Sequence, residues 1–161
     1  MGLTHIDGNG NAVMVDVGGK EVTSRSATAC GTIRMSRECF DAVLEKRAKK
    51  GDVLGVAQVA GIMGAKRTSE LIPLCHILNL TNVSVEFEPD ADLCTIRCFC
   101  TARCEGKTGV EMEALTGVST ALLTVYDMCK AIDKRMEITD VHLCEKHGGK
   151  SGDFYFEGSH D

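Results

Sequence analysis

Residues 81–105 read TNVSVEFEPDADLCTIRCFCTARCE, and their pattern decides the fold. Across residues 81–88 the side chains alternate, with Val83, Val85 and Phe87 on one face and Asn82, Ser84, Glu86 and Glu88 on the other. Period-2 alternation is the mark of a strand with one buried face. After a turn expected at PDAD, residues 93–105 alternate again. Cys94, Ile96, Cys98, Cys100, Ala102 and Cys104 share one face, and Thr95, Arg97, Phe99, Thr101, Arg103 and Glu105 the other. The two runs therefore make an antiparallel hairpin. Cys94, Cys98, Cys100 and Cys104 invite a metal reading, but a structural zinc site draws its ligands from turns that converge tetrahedrally. These four follow the strand period and read as core, where free cysteine behaves as a small hydrophobe. No metal site is expected from them.

Downstream of the hairpin, residues 107–135, KTGVEMEALTGVSTALLTVYDMCKAIDKR, place Leu115, Val118, Leu122, Val125, Tyr126, Cys129 and Ile132 on one helical stripe. Glu111 and Glu113 fall in the first turn, where the helix dipole favours acids. ITDVHLCE (138–145) reads as a strand, and GDFYFEG (152–158) as a terminal one after a glycine turn at Gly148 and Gly149. Upstream, SATACGTIRM (26–35) is a strand. SRECFDAVLEKRAKKG (36–51) follows as a helix capped by Ser36 and stopped by Gly51. Asp52 caps a second helix, VLGVAQVAGIMGAKRT (53–68), which ends before Pro73. Its three glycines each weaken it by about 1 kcal/mol relative to alanine. With Ala57, Ala60 and Ala65 they thin its surface, so close packing against another backbone is expected to compensate. The order β-α-α-β-β-α-β-β predicts an α+β fold: a ferredoxin-like β-α-β-β-α-β unit with an added helix and strand, its antiparallel sheet covered by helices. One domain over residues 1–161 is expected, with the first roughly 20 residues mobile.

The composition agrees. A chain of 161 residues, 43% hydrophobic and 25% charged, can bury about two thirds of its unfolded surface without disulfide support. No apolar run approaches the length of a membrane span, and MGLTHIDGNGN lacks the basic and apolar regions of a signal peptide, so a cytoplasmic protein is expected. An odd count of nine cysteines argues for reduced thiols. A net charge of −5 disfavours nucleic acid, yet Lys50, Lys66, Arg67, Lys146 and Lys150 at element ends suit a small anionic ligand. Taken singly, each candidate has a plainer explanation. His76, in LIPLCHILNL, reads first as a hydrogen-bonded structural histidine at a helix-to-strand junction, with acid/base work second; Cys75 beside it has the weaker claim. Lys50, Lys66 and Arg67 suit helix C-termini. Asp127 and Lys130, one turn apart, fit a surface ion pair worth about 0–1 kcal/mol. Alternatively the aspartate positions an ammonium or lowers its pKa for proton transfer. HGGKSGDF (147–154) can turn backbone amides toward phosphate, though it matches no Walker or Rossmann pattern.

Taken together, MVDV (14–17), KGDV (50–53), AGIMGAKRT (60–68), LIPLCH (71–76), KTGVEMEALTGVSTALLTVYDMCKA (107–131) and GGKSGDF (148–154) resemble the cyclic pyranopterin monophosphate synthase family of molybdenum cofactor biosynthesis. The resemblance runs over residues 3–154. It implies a lyase that converts (8S)-3',8-cyclo-7,8-dihydroguanosine 5'-triphosphate to cyclic pyranopterin monophosphate and diphosphate. It further implies a ferredoxin-like protomer in a homohexamer, a trimer of dimers, with active sites between subunits. By position, Asp127, Lys50 and Lys130 correspond to catalytic residues of the family, and Leu74, Cys75, His76, Met112 and Glu113 to substrate-binding ones. No cofactor is implied beyond Mg²⁺ accompanying the triphosphate, and neither nucleic acid nor membrane is a partner. The chain departs from the family where Ile77 replaces the proline usual in LCHPL and where Ser69 stands at a common tryptophan. Both flank His76. Two rival readings remain on the residues alone: a cysteine-based metal-binding protein, which would carry stoichiometric metal, and a regulatory nucleotide-binding module, which would bind without turnover.

Overall fold

A computed structural model describes residues 2–157. In chain order the elements are β1 (Thr23–Arg34), α1 (Arg37–Leu44), α2 (Val53–Lys66), α3 (Thr68–Leu71), β2 (Leu80–Asp90), β3 (Thr95–Gly106), α4 (Glu111–Cys129), β4 (Glu137–His147) and β5 (Phe154–Tyr155). The sheet order is β2-β3-β1-β4-β5, with every pair antiparallel. Without β5 this is the arrangement of a ferredoxin-like β-α-β-β-α-β unit, in which each crossover helix skips one strand. β1 sits at the centre and pairs without interruption with β3, from Thr23↔Gly106 to Arg34↔Thr95. No helix of the described residues is long and apolar enough to cross a membrane.

The alternation in β3 sorts its side chains as expected. Ile96, Cys98, Cys100, Ala102 and Cys104 are buried against Ala27, Ala29 and Ile33 of β1 and Val118, Leu122 and Val125 of α4. Cys94 departs from the pattern: it takes a left-handed backbone (φ 52) and lies outside the strand. The turn is displaced from PDAD, because Pro89 and Asp90 still pair with Ile96 and Thr95. Proline is tolerated there since β2 is an edge strand. Asp90 Oδ1 then accepts from the backbone N–H groups of Asp92 and Leu93 at 3.0 and 3.2 Å, which reverses the chain.

Ser36 and Asp52 cap α1 and α2 as read, accepting from the N–H of Cys39 at 3.2 Å and of Gly55 at 3.1 Å. α1 is shorter than the expected helix to residue 51. Lys46 adopts φ 55, its N–H reaches the Val43 carbonyl at 3.3 Å, and the Arg47 N–H reaches the Ala42 carbonyl at 2.8 Å. This pair of bonds is a Schellman stop. A lysine occupies the position where glycine is the usual signal, so the sequence pattern overran the end. Gly51, at φ 98, shapes the following loop instead.

α2 and α4 lie on one sheet face and meet each other through their small residues. A Cβ on Gly61 would lie 3.0 Å from the Gly117 carbonyl, and one on Gly64 would overlap Thr120. The close approach expected of the glycine-rich helix is present. On the apolar stripe of α4, Val118, Leu122, Val125 and Cys129 are buried, while Ile132 lies beyond the helix and is 36% exposed. The helices cover one face of the sheet, in keeping with the expected helix-covered antiparallel sheet; among the described residues no helix covers the other. The terminal strand shrinks to two residues, Tyr155 opposite Glu145 and Phe154 opposite Lys146, and Gly158 of the expected span lies outside the described residues.

Candidate functional site

α4 carries a group of candidate residues at each end. In its last turn Asp127 holds two lysines. Lys130 Nζ, at the helix C-cap, lies 2.7 Å from Asp127 Oδ1. Lys50 Nζ, from the loop between α1 and α2, lies 3.2 Å from Oδ2 and 3.3 Å from the Asp127 carbonyl. The lysines donate, the carboxylate accepts, and all three side chains remain more than half exposed. Hydrogen bonding from Lys130 first, and then from Lys50, holds the Asp127 carboxyl below its usual range. In return Asp127 raises Lys130. The expectation that the aspartate could lower a lysine pKa is thus corrected in direction: Asp127 keeps Lys130 as an ammonium.

At the other end of α4, Leu74, Cys75, His76, Met112 and Glu113 all line one pocket of about 310 Å³, together with Val15, Val17, Lys20 and Thr108. Glu113 is 4% exposed, and burial, with a smaller contribution from Glu111, pushes its carboxyl up to about 7. His76 Nε2–H donates to the Val15 carbonyl at 2.6 Å, which leaves Nδ1 as the acceptor. The structural reading of His76 and its place in a pocket therefore hold together. Burial, and then the neighbouring Glu113, raise the Cys75 thiol, which favours its neutral form. Ile77 points away, 88% exposed.

The glycine turn after β4 sits beside this pocket. Gly148 and Gly149 take φ 92 and 79, and a Cβ on Gly148 would overlap the Ser24 carbonyl. Lys146 lies 3.6 Å from Glu111 of the pocket wall and donates to Ser151 Oγ at 2.6 Å. Sequence reading missed Lys20 and Thr108 as pocket residues; the MVDV and KTGVEME blocks that flank or contain them were the available signal. The cations do not gather into one cluster. Lys50 is at the C-terminal end of α4, Lys146 at its N-terminal end, and Lys66 lines a separate hollow of about 340 Å³ with Asn79 and Asn82.

Glu113 and Asp127 stand fourteen positions apart on one continuous helix, a separation of about 21 Å at 1.5 Å per residue. A proton-transfer group must come within about 2.6–3.2 Å of its target. Within one copy of the chain the pocket and the Lys50–Asp127–Lys130 centre are therefore two separate groups of residues.

Comparison with known proteins gives these residues a context. Residues 14–149 match the model of the MoaC family. A cyclic pyranopterin monophosphate synthase of Clostridium botulinum is 60% identical over 155 residues, covering 96% of this chain and 98% of that relative. One of the same name from Dinoroseobacter shibae is 58% identical over 156 residues, covering 97% and 99%.

Proposed function

The chain belongs to the MoaC family, and we propose that it is the lyase that converts the cyclised dihydroguanosine triphosphate to cyclic pyranopterin monophosphate, expelling diphosphate, in molybdenum cofactor biosynthesis. The observation that carries this reading is the division of labour along α4. Its N-terminal pocket offers Glu113, a buried carboxyl able to accept from the N–H edge of a guanine-derived ring, and His76 Nδ1 beside it. Its C-terminal end offers Lys50 and Lys130, two cations held by one carboxylate. They suit the charge that builds on a departing diphosphate. Lys130, kept as an ammonium, suits proton donation or phosphate binding. Any Mg²⁺ would travel with the triphosphate, since Asp127 already serves two lysines.

The separation of about 21 Å along α4 supports a site shared between copies of the chain, the pocket from one and the Lys50–Asp127–Lys130 centre from another. Symmetric assembly supplies such pairings, and a homohexamer, a trimer of dimers, is the assembly we propose. All nine cysteines are free, in keeping with a cytoplasmic enzyme. Incubation with the cyclised triphosphate should release diphosphate and pterin product in equal amounts. Binding of the triphosphate without release of either would replace the enzyme with a regulatory binding module.

A further inference from the structure

The uncovered sheet face holds a cluster that the proposed reaction does not use. Cys30 of β1 and His142 and Cys144 of β4 each bring a ligand atom within 4.8 Å of the other two. The backbone creates this meeting. Cys30 pairs with His142, but the β1–β4 register shifts on either side, and Leu143 and Glu145 take successive partners Ala29 and Thr28. Cys144 is left without a partner across β1, and such bulges re-aim side chains.

The histidine is oriented as a ligand would be. Its Nδ1 is 2.6 Å from the Asp140 carbonyl, which can only accept, so Nδ1 carries the proton. The lone pair is then on Nε2, which lies 3.4 Å from Cys30 Sγ. A backbone carbonyl fixing the far nitrogen is the usual outer support of a metal-bound imidazole. Phe156 packs on the ring with centroids 4.3 Å apart. Arg97 Nη2 donates to Cys30 Sγ at 3.6 Å. Cys30 and His142 open onto a trough of about 1300 Å³, which leaves room for a further ligand.

We propose that Cys30, His142 and Cys144 form a zinc site with its fourth position open to the trough. Zinc takes tetrahedral sulfur and imidazole ligands at about 2.3 and 2.0 Å, which sets a sulfur-to-nitrogen edge of about 3.5 Å; the Cys30–His142 distance of 3.4 Å is close to it. Two thiolates neutralise the ion, and the Arg97 hydrogen bond remains available to the Cys30 sulfur. Oxygen-seeking Mg²⁺ and Ca²⁺ do not suit this set. None of the four cysteines raised by the β3 pattern takes part.

The test uses the reduced full-length protein, stripped of metal and titrated with zinc against a chromophoric chelator, with cobalt(II) as a spectroscopic substitute. One equivalent per chain is expected, with a thiolate-to-cobalt absorption band. His142→Gln and Cys144→Ser should each weaken zinc at least about tenfold, while Cys94→Ser in the β2–β3 turn should bind as the wild type does. Wild-type protein that takes up no zinc, or gives no thiolate band with cobalt, overturns the proposal whatever the variants do. So does unchanged affinity in folded His142→Gln and Cys144→Ser.

Discussion

Burial of Glu113 moves its carboxyl from an ordinary 4.5 to about 7, which ties stability and function to the same proton. The unfolded chain gives up that proton first as pH rises. The stabilisation carried by the neutral acid is therefore complete below about 4.5 and lost as pH passes about 7. Glu113→Gln cannot ionise, so its melting temperature should gain on the wild type across this window and hold a constant lead above it. Activity should run the other way. The carboxylate is the better acceptor for a ring N–H, so kcat/KM should rise through an apparent value near 7, and that limb should be missing from the residual activity of Glu113→Gln. Asp127 and Lys130 call for a different experiment, because both are more than half exposed. A solvent-screened pair contributes little to stability, so Asp127→Asn and Lys130→Gln should melt nearly as the wild type does. Diphosphate release should nevertheless fall about a hundredfold or more, the scale for a lost proton-transfer or charge-stabilising group. Near-normal release in both would leave only a surface ion pair. The i, i+3 spacing made this pair legible in the sequence, whereas Lys50 reaches Asp127 from an irregular loop and was placed only by family resemblance. The Cys30, His142 and Cys144 cluster had no sequence signal, because register shifts in β4 assemble it.

Among the elements, those with a strong period were legible and those ended by backbone geometry were not. Alternation through β2 and β3 fixed the hairpin and buried Cys98, Cys100 and Cys104, and the stripe on α4 located the core helix to within the limits of its last turn. The end of α1 was missed since Lys46 takes the left-handed position without a glycine to announce it. That helices cover one sheet face and leave the other open was also not readable, because the polar residues on alternate positions of β1 and β3 would look the same under solvent or a partner. The small residues of α2 and α4 were legible as a close contact, and the contact makes a measurable demand. A Cβ at Gly117 would overlap Cys100 Sγ and stand 3.3 Å from the Gly61 carbonyl. Cys100 is fully buried and the carbonyl belongs to a helix backbone, so neither can easily withdraw. Alanine would favour the isolated helix by about 1 kcal/mol. Overpacking in a close-packed core costs about 1–3 kcal/mol and should prevail. Gly117→Ala is therefore expected to lower the denaturant midpoint without changing its slope, and a raised midpoint would show that the two helices have slack between them.

For the whole molecule, the governing distance is the length of α4, about 21 Å from Glu113 to Asp127. If the reaction needs both ends and one copy cannot apply both to one substrate, a defect at one end should be repaired by a second chain with a defect only at the other. Glu113→Gln retains the Lys50–Asp127–Lys130 centre, and Asp127→Asn retains the pocket. Each variant alone should be nearly inactive. Unfolding and reassembling the two together, or producing them together in one cell, should return activity, because random assortment in a symmetric assembly gives up to about a quarter of the sites both intact halves. The regained sites should show wild-type KM with a lowered total rate, since each is unmodified. Size determination by light scattering must accompany the assay: mixed oligomers that form yet stay inactive would mean that each chain completes its own site, and that the two ends of α4 are not shared between copies.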